Sequence, residues 1–106
     1  TTVLFDFDSA QLSDYAQRVL DRQAAFMKAC PETRVTIGGH ADERGTREYN
    51  LALGERRASS ARDYLVAKGV NAARIRIISY GKERPASVGS TEAAWRLNRR
   101  AQTVLN

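Results

Sequence analysis

Hydrophobic and polar positions along this chain change period at regular intervals. Val3-Leu4-Phe5 is a short apolar run that reads as a strand, and Asp6-Phe7-Asp8-Ser9 breaks it. Ser13 offers an N-cap oxygen for a helix from Asp14 to about Cys30. Within that helix Tyr15, Val19, Phe26 and Cys30 fall on one face, flanked by Ala16, Leu20 and Met27. This face is expected to be buried, with the Cys30 thiol inert near its centre, and Pro31 to end the helix. Arg34 to Ala41 alternates, Val35 and Ile37 pointing one way and Arg34 and Thr36 the other, which predicts a second strand closed by Gly38-Gly39. A polar turn, His40 to Gly45, leads to Thr46, the N-cap of a long helix running to about Lys68, with Gly69 at C′. After a connector at Asn71-Ala72-Ala73, Ile75, Ile77 and Ile78 mark a strand over 74–80. Gly81 to Gly89 reads as a loop, Ser90 or Thr91 as the cap of a short helix through Leu97, and Arg100 to Leu105 as a final strand.

The order is therefore β-α-β-α-β-(short α)-β. It predicts an α/β (α+β) two-layer sandwich, with helices packed on one face of a mixed sheet of about four strands. Neither an internal repeat nor an interdomain linker interrupts it, so residues 1–106 are expected to form one domain.

One position departs from the pattern. At 100° per residue, Leu53, Ala61, Tyr64 and Leu65 define the inward face of the long helix, and Arg57 lies among them. Asn50 continues the same stripe toward the N-terminus, and Asp42 sits in the turn feeding that end. A charge on an apolar face needs a partner or a ligand. Helix N-termini attract anions, arginine binds carboxylates through a planar fork, and Asp42 adds a counter-charge suited to an ammonium. Spacing alone leaves two readings open. One is an Asp42–Arg57 ion pair that orients the turn; the other is a pocket of both signs that suits a zwitterion.

Composition narrows the classes. Hydrophobic residues make up 42% and charged residues 27%, as in an ordinary folded protein. No apolar run is long enough to span a bilayer. The opening Thr1-Thr2-Val3 has no charged n-region followed by an apolar h-region, so no signal peptide is expected in this sequence, which reads like an excised domain. Seventeen Lys and Arg against twelve Asp and Glu leave a net charge of +5. The bases are interspersed with acids, as at Glu55-Arg56-Arg57 and Arg62-Asp63, without the clustered bases and aromatic platforms of a nucleic-acid module. A single cysteine, Cys30, excludes an internal disulfide, and with His40 the only histidine the usual structural zinc site is excluded too. His40, Asp42 and Glu43 are the cluster with the acid/base or metal-ligating groups that an enzyme would use. No metalloprotease helix motif, no nucleophile elbow and no flanking carboxylate pair of a glycosidase accompanies them.

The motifs around the charged pair resemble the OmpA-like peptidoglycan-binding domains. They are Gly39-His40-Ala41-Asp42-Glu43-Arg44-Gly45 followed by Asn50-Leu51-Ala52-Leu53-Gly54-Glu55-Arg56-Arg57-Ala58, with Phe5-Asp6-Phe7-Asp8, Ser79-Tyr80-Gly81, Pro85 and Asn98-Arg99-Arg100-Ala101. The resemblance covers essentially the whole chain and is strongest to the lipoprotein branch of the family, where Gly54 replaces a serine common elsewhere. It implies non-catalytic binding of peptidoglycan through the meso-diaminopimelate of its stem peptide, with no cofactor. Asp42 would pair the ammonium and Arg57 the carboxylate. The backbone of Phe7, Asp8 and Ser9 would hydrogen-bond the ligand, and Asn50 and Leu53 would shape the pocket. Gly39, His40, Gly45, Tyr80 and Arg100 would support it. The resemblance further implies a periplasmic location, an outer-membrane lipid anchor outside this chain, and TolB and related Tol-system proteins as partners. The alternatives within the family are a protein-interaction module of the TolB-binding kind and a stator anchor like MotB. Asp42→Ala and Arg57→Ala are each expected to abolish binding to the cell wall while leaving the fold intact.

Overall fold

Strands β1 (Thr2–Leu4), β2 (Val35–His40), β3 (Ile75–Gly81) and β4 (Arg100–Leu105) alternate with helices α1 (Asp14–Ala29), α2 (Arg47–Ala67) and α3 (Glu92–Asn98). This is a computed structural model that describes residues 1–106. A 3-10 turn, Ala72–Arg74, precedes β3. The helices start where side-chain oxygens satisfy their free N–H groups: Ser13 accepts from Ala16, Thr46 from Tyr49 and Thr91 from Ala94. Gly69, at φ +102°, takes the left-handed conformation that closes α2.

The sheet runs in the order β1-β4-β2-β3, with β2 parallel to β3 and β4 antiparallel to both β1 and β2. It is a mixed, open, four-stranded sheet in an α/β sandwich, as the periodicity predicts. Val35 and Ile37 of β2, Val3 and Phe5 near β1, and Ala101 of β4 join Ala16, Leu20, Ala24 and Met27 of α1 and Ala58, Ala61 and Leu65 of α2 in one core. The opposite face of β2 carries His40, whose ring stacks on Tyr80 with centroids 5.1 Å apart.

The buried face of α1 differs from the one expected. Ala16, Leu20, Gln23, Ala24 and Met27 point inward, while Tyr15 is 66% and Phe26 50% exposed. Cys30 is the half-buried C-cap and lies off the core face. At 100° per residue the true face is rotated by about a quarter turn. Packing fits the rotation: two alanines let α1 lie close to the sheet while Leu20 and Met27 fill the core between them. Ala16 and Ala24 allow that approach, whereas a ridge of Tyr15 and Phe26 would hold α1 away. Tyr64 is likewise only half-buried, and its hydroxyl donates to Asp21 Oδ1 at 2.7 Å.

Candidate functional site

The long helix reaches the end of the sheet through a contact that only glycine permits. A Cβ on Gly39 would lie 1.7 Å from the Gly54 carbonyl oxygen, and one on Gly54 would lie 2.8 Å from the Gly39 oxygen. Backbone therefore meets backbone where α2 crosses β2. That crossing sets Arg57, one turn further along α2, directly under the loop between β1 and α1.

Arg57 is completely buried, with 0% of its surface exposed. Its guanidinium donates to three carbonyls: Nε to Ser9 O at 2.8 Å, Nη1 to His40 O at 2.9 Å and Nη2 to Asp6 O at 3.1 Å. Two of these belong to the β1–α1 loop and the third to the end of β2, so one side chain ties three segments together. Burial pushes its pKa down to about 10, partly offset by the charge of Asp42, and it stays charged at neutral pH. Phe5 lies 5.4 Å from the guanidinium carbon. Arg57 makes no ion pair with Asp42, so the simple salt bridge that spacing left open is not formed.

Asp42 is buried and has other partners. Arg44 grips it with both prongs of its fork, Nε to Oδ1 at 3.1 Å and Nη2 to Oδ2 at 2.8 Å, and the Arg44 backbone N–H adds a bond to Oδ1 at 3.0 Å. Arg99 Nη1 lies 3.5 Å from Oδ2. Burial alone would raise the Asp42 carboxyl, but the bonds and charge of Arg44, with Arg99, outweigh it and hold the group below its ordinary range. The Arg44 guanidinium is itself stacked, its central carbon 4.1 Å from the Phe7 ring centroid and 4.1 Å from that of Trp95. Glu43 Oε1 accepts from Trp95 Nε1 at 3.1 Å and from the Ser90 hydroxyl. These bonds fasten the turn to the region of α3.

Asp42 and Arg57 nevertheless line one pocket of about 230 Å³, with Phe7, Asp8, Ala41, Arg44, Gly45, Tyr49, Asn50 and Leu53 around it. Seven expected residues thus meet there: Phe7, Asp8, Asp42, Gly45, Asn50, Leu53 and Arg57. Asp8 reaches its place by a left-handed backbone, φ 54°, and Gly45 by φ +92°. Asn50 Nδ2 donates to Arg44 O at 2.8 Å and so shapes the turn. Ser9 does not line the pocket, and its carbonyl is spent on Arg57.

The remaining expected residues stand behind the pocket. Gly39 makes the helix crossing. His40 lends its carbonyl to Arg57, while its ring lies on the far face of the sheet against Tyr80. Burial, then the charge of Arg100, pushes the His40 pKa down to about 4. Arg100 reaches Arg84 O and Gln102 and points away from the pocket. Its neighbour Arg99 is the one that approaches Asp42, donating also to Phe5 O at 2.8 Å and to Glu92. Reasoning from sequence missed Arg44, Tyr49 and Arg99. Arg44 is two residues from Asp42, the spacing at which a turn returns a long side chain to a carboxylate, and that signal was readable.

The site is thus a small chamber with buried charges of both signs at the end of a mixed sheet. Residues 4–99 match the OmpA family, and the chain belongs to that family. It is 56% identical over 103 residues to the peptidoglycan-associated lipoprotein of Rhizobium meliloti, covering 97% of this chain and 58% of the relative. It is 53% identical over 104 residues to that of Brucella melitensis, covering 98% and 62%. The chain thus spans about three-fifths of the length of these curated relatives. Among solved structures, the peptidoglycan-associated lipoprotein from Burkholderia pseudomallei superimposes with a TM-score of 0.97 at 45% identity, covering 99% of this chain and 89% of that one. The C-terminal domain of Helicobacter pylori MotB has a TM-score of 0.91 at 18% identity, covering 100% and 84%, a likeness of fold alone.

Proposed function

We propose that this domain is a non-catalytic, non-covalent anchor to peptidoglycan and that its pocket seats the meso-diaminopimelate of the stem peptide. The observation that carries the reading is one pocket lined by both Asp42 and Arg57, buried charges of opposite sign that do not neutralise each other directly. A ligand end bearing an ammonium and a carboxylate a few ångströms apart matches that arrangement. Asp42 takes the ammonium. The Arg57 field, together with backbone N–H groups of the Phe7–Asp8 turn, takes the carboxylate. The names of the relatives support peptidoglycan as the polymer. In the whole protein the domain would face the periplasm beneath the outer membrane, held there by a lipid anchor, within a Tol-Pal-type envelope system with TolB as a partner.

The test is sedimentation with purified sacculi, with and without free diaminopimelate as competitor. The wild type should co-sediment and be released by the competitor. Asp42→Asn, which keeps the shape and removes the charge, should remain in the supernatant with its circular dichroism spectrum unchanged. Full binding by Asp42→Asn would reject the pocket assignment.

A further inference from the structure

The Asp42 carboxylate already holds a cation, the side chain of Arg44. We infer that Arg44 is an internal occupant of the cation seat, and that a ligand must displace it, which makes Arg44 a specificity-determining residue. The inference rests on the pocket reading above.

Three contacts hold the guanidinium there: the two-pronged bond to Asp42 and two stacks, on Phe7 and on Trp95. None involves the main chain of Arg44. That main chain is fixed separately, its N–H to Asp42 Oδ1 and its carbonyl to Asn50 Nδ2. The side chain can therefore swing out while the turn keeps its shape. Arg44 is about a third exposed, so its new position lies in water and burial does not oppose the swing. The departing fork would leave Asp42 with the Arg44 amide and the distant Arg99, and with lone pairs for a new donor.

Selectivity follows from the competition. An amine with no carboxylate beside it offers Asp42 only one cation in exchange for another, and forfeits both aromatic stacks. It gains nothing from Arg57. A zwitterionic end also gives the pocket a carboxylate, and that surplus is what can displace the guanidinium. Arg44 thereby rejects the simple amines that an open Asp42 would accept. Removing the side chain should tighten diaminopimelate by on the order of tenfold, the worth of a paired and stacked guanidinium at a partly exposed site.

Trp95 is the only tryptophan of the chain, so its emission reports the stack directly. Wild type, Arg44→Ala and Arg44→Lys are titrated with meso-diaminopimelate and with 1,5-diaminopentane, followed by Trp95 fluorescence and calorimetry. Diaminopimelate should move the wild-type emission to that of ligand-free Arg44→Ala. It should bind Arg44→Ala about tenfold tighter than wild type, with Arg44→Lys between them because lysine keeps the charge but not the fork. Diaminopentane should bind Arg44→Ala and not the wild type. Equal or weaker diaminopimelate binding by Arg44→Ala, or an unmoved Trp95 emission at saturation, overturns the displacement and leaves the pocket reading standing. If neither wild type nor Arg44→Ala takes diaminopimelate, the pocket reading falls and the displacement falls with it.

Discussion

His40 couples the fold to pH, and the size of the coupling follows from where its ring sits. The side chain is only 4% exposed, stacked on Tyr80, with Nδ1 unpartnered and Arg100 nearby. Protonation would put a second positive charge into a dry space that already feels a guanidinium. Its pKa accordingly falls from 6.5 to about 4. The unfolded chain takes up a proton near pH 6.5 that the folded chain refuses until about pH 4. Stability from this group is therefore complete above pH 6.5, declines as pH falls through that window, and is spent below about pH 4. At about 1.4 kcal/mol per unit, the whole decline is about 3 kcal/mol. That is a large share of the ~5–15 kcal/mol typical of a domain. His40→Phe keeps a ring against Tyr80 and removes the titration. Urea unfolding of both proteins at several pH values between about 7 and 4 isolates the effect, because the carboxylates titrate in both. Between those limits the wild type should lose about 3 kcal/mol more than the variant. Parallel stability curves would show that the His40 ring is not held neutral by its surroundings, and the burial argument would be wrong.

Arg57→Met should destabilise the domain by about 3–5 kcal/mol in urea unfolding, because it strips the charged donor from three carbonyls, one fully buried. An unchanged midpoint would contradict the structural role of this side chain. The expectation that Arg57→Ala spares the fold is revised accordingly, and Asp42→Asn is the cleaner probe of binding. Gly39→Ala places a Cβ 1.7 Å from the Gly54 oxygen and should cost about 1–3 kcal/mol or more. It should lower the melting temperature by on the order of 10 °C in calorimetry, and an unaltered melting point would mean that α2 can lift off β2 at no cost.

Much of the fold is legible in the chain because its rules are local. Thr46 and Gly69 mark the two ends of α2 within one or two residues, and a 3.6-residue period puts Arg57 on the inward stripe. What the period cannot say is what meets the guanidinium. Its acceptors at Asp6 and Ser9 lie 51 and 48 positions upstream, on a loop with no periodicity to read. The same limit hides Arg99, since in the doublet Arg99-Arg100 alternation assigns opposite sides but not which side faces Asp42. The misplaced face of α1 has a different origin. Side-chain size favours Tyr15 and Phe26, while the sheet takes the face of Ala16, Leu20, Ala24 and Met27, where the alanines permit close approach and the two longer side chains fill the core.

The strand order also determines how this domain bears a pull. Thr1 lies beside Thr103, whose N–H it accepts at 2.8 Å, and the pocket lies at the other end of the sheet, beyond Leu4 and His40. A tension between Thr1 and a molecule seated in the pocket would run along the strands. The β1–β4 pairs, Thr2 with Gln102 through Leu4 with Arg100, would then be loaded together in shear and would not open one after another like a zip. The ladder continues into the loop through Phe5 and Arg99, bonded in both directions at 2.8 Å. Arg57 then carries the strain from Asp6 and Ser9 into the long helix. The buried arginine is in this sense a rivet between the β1–α1 loop and the long helix.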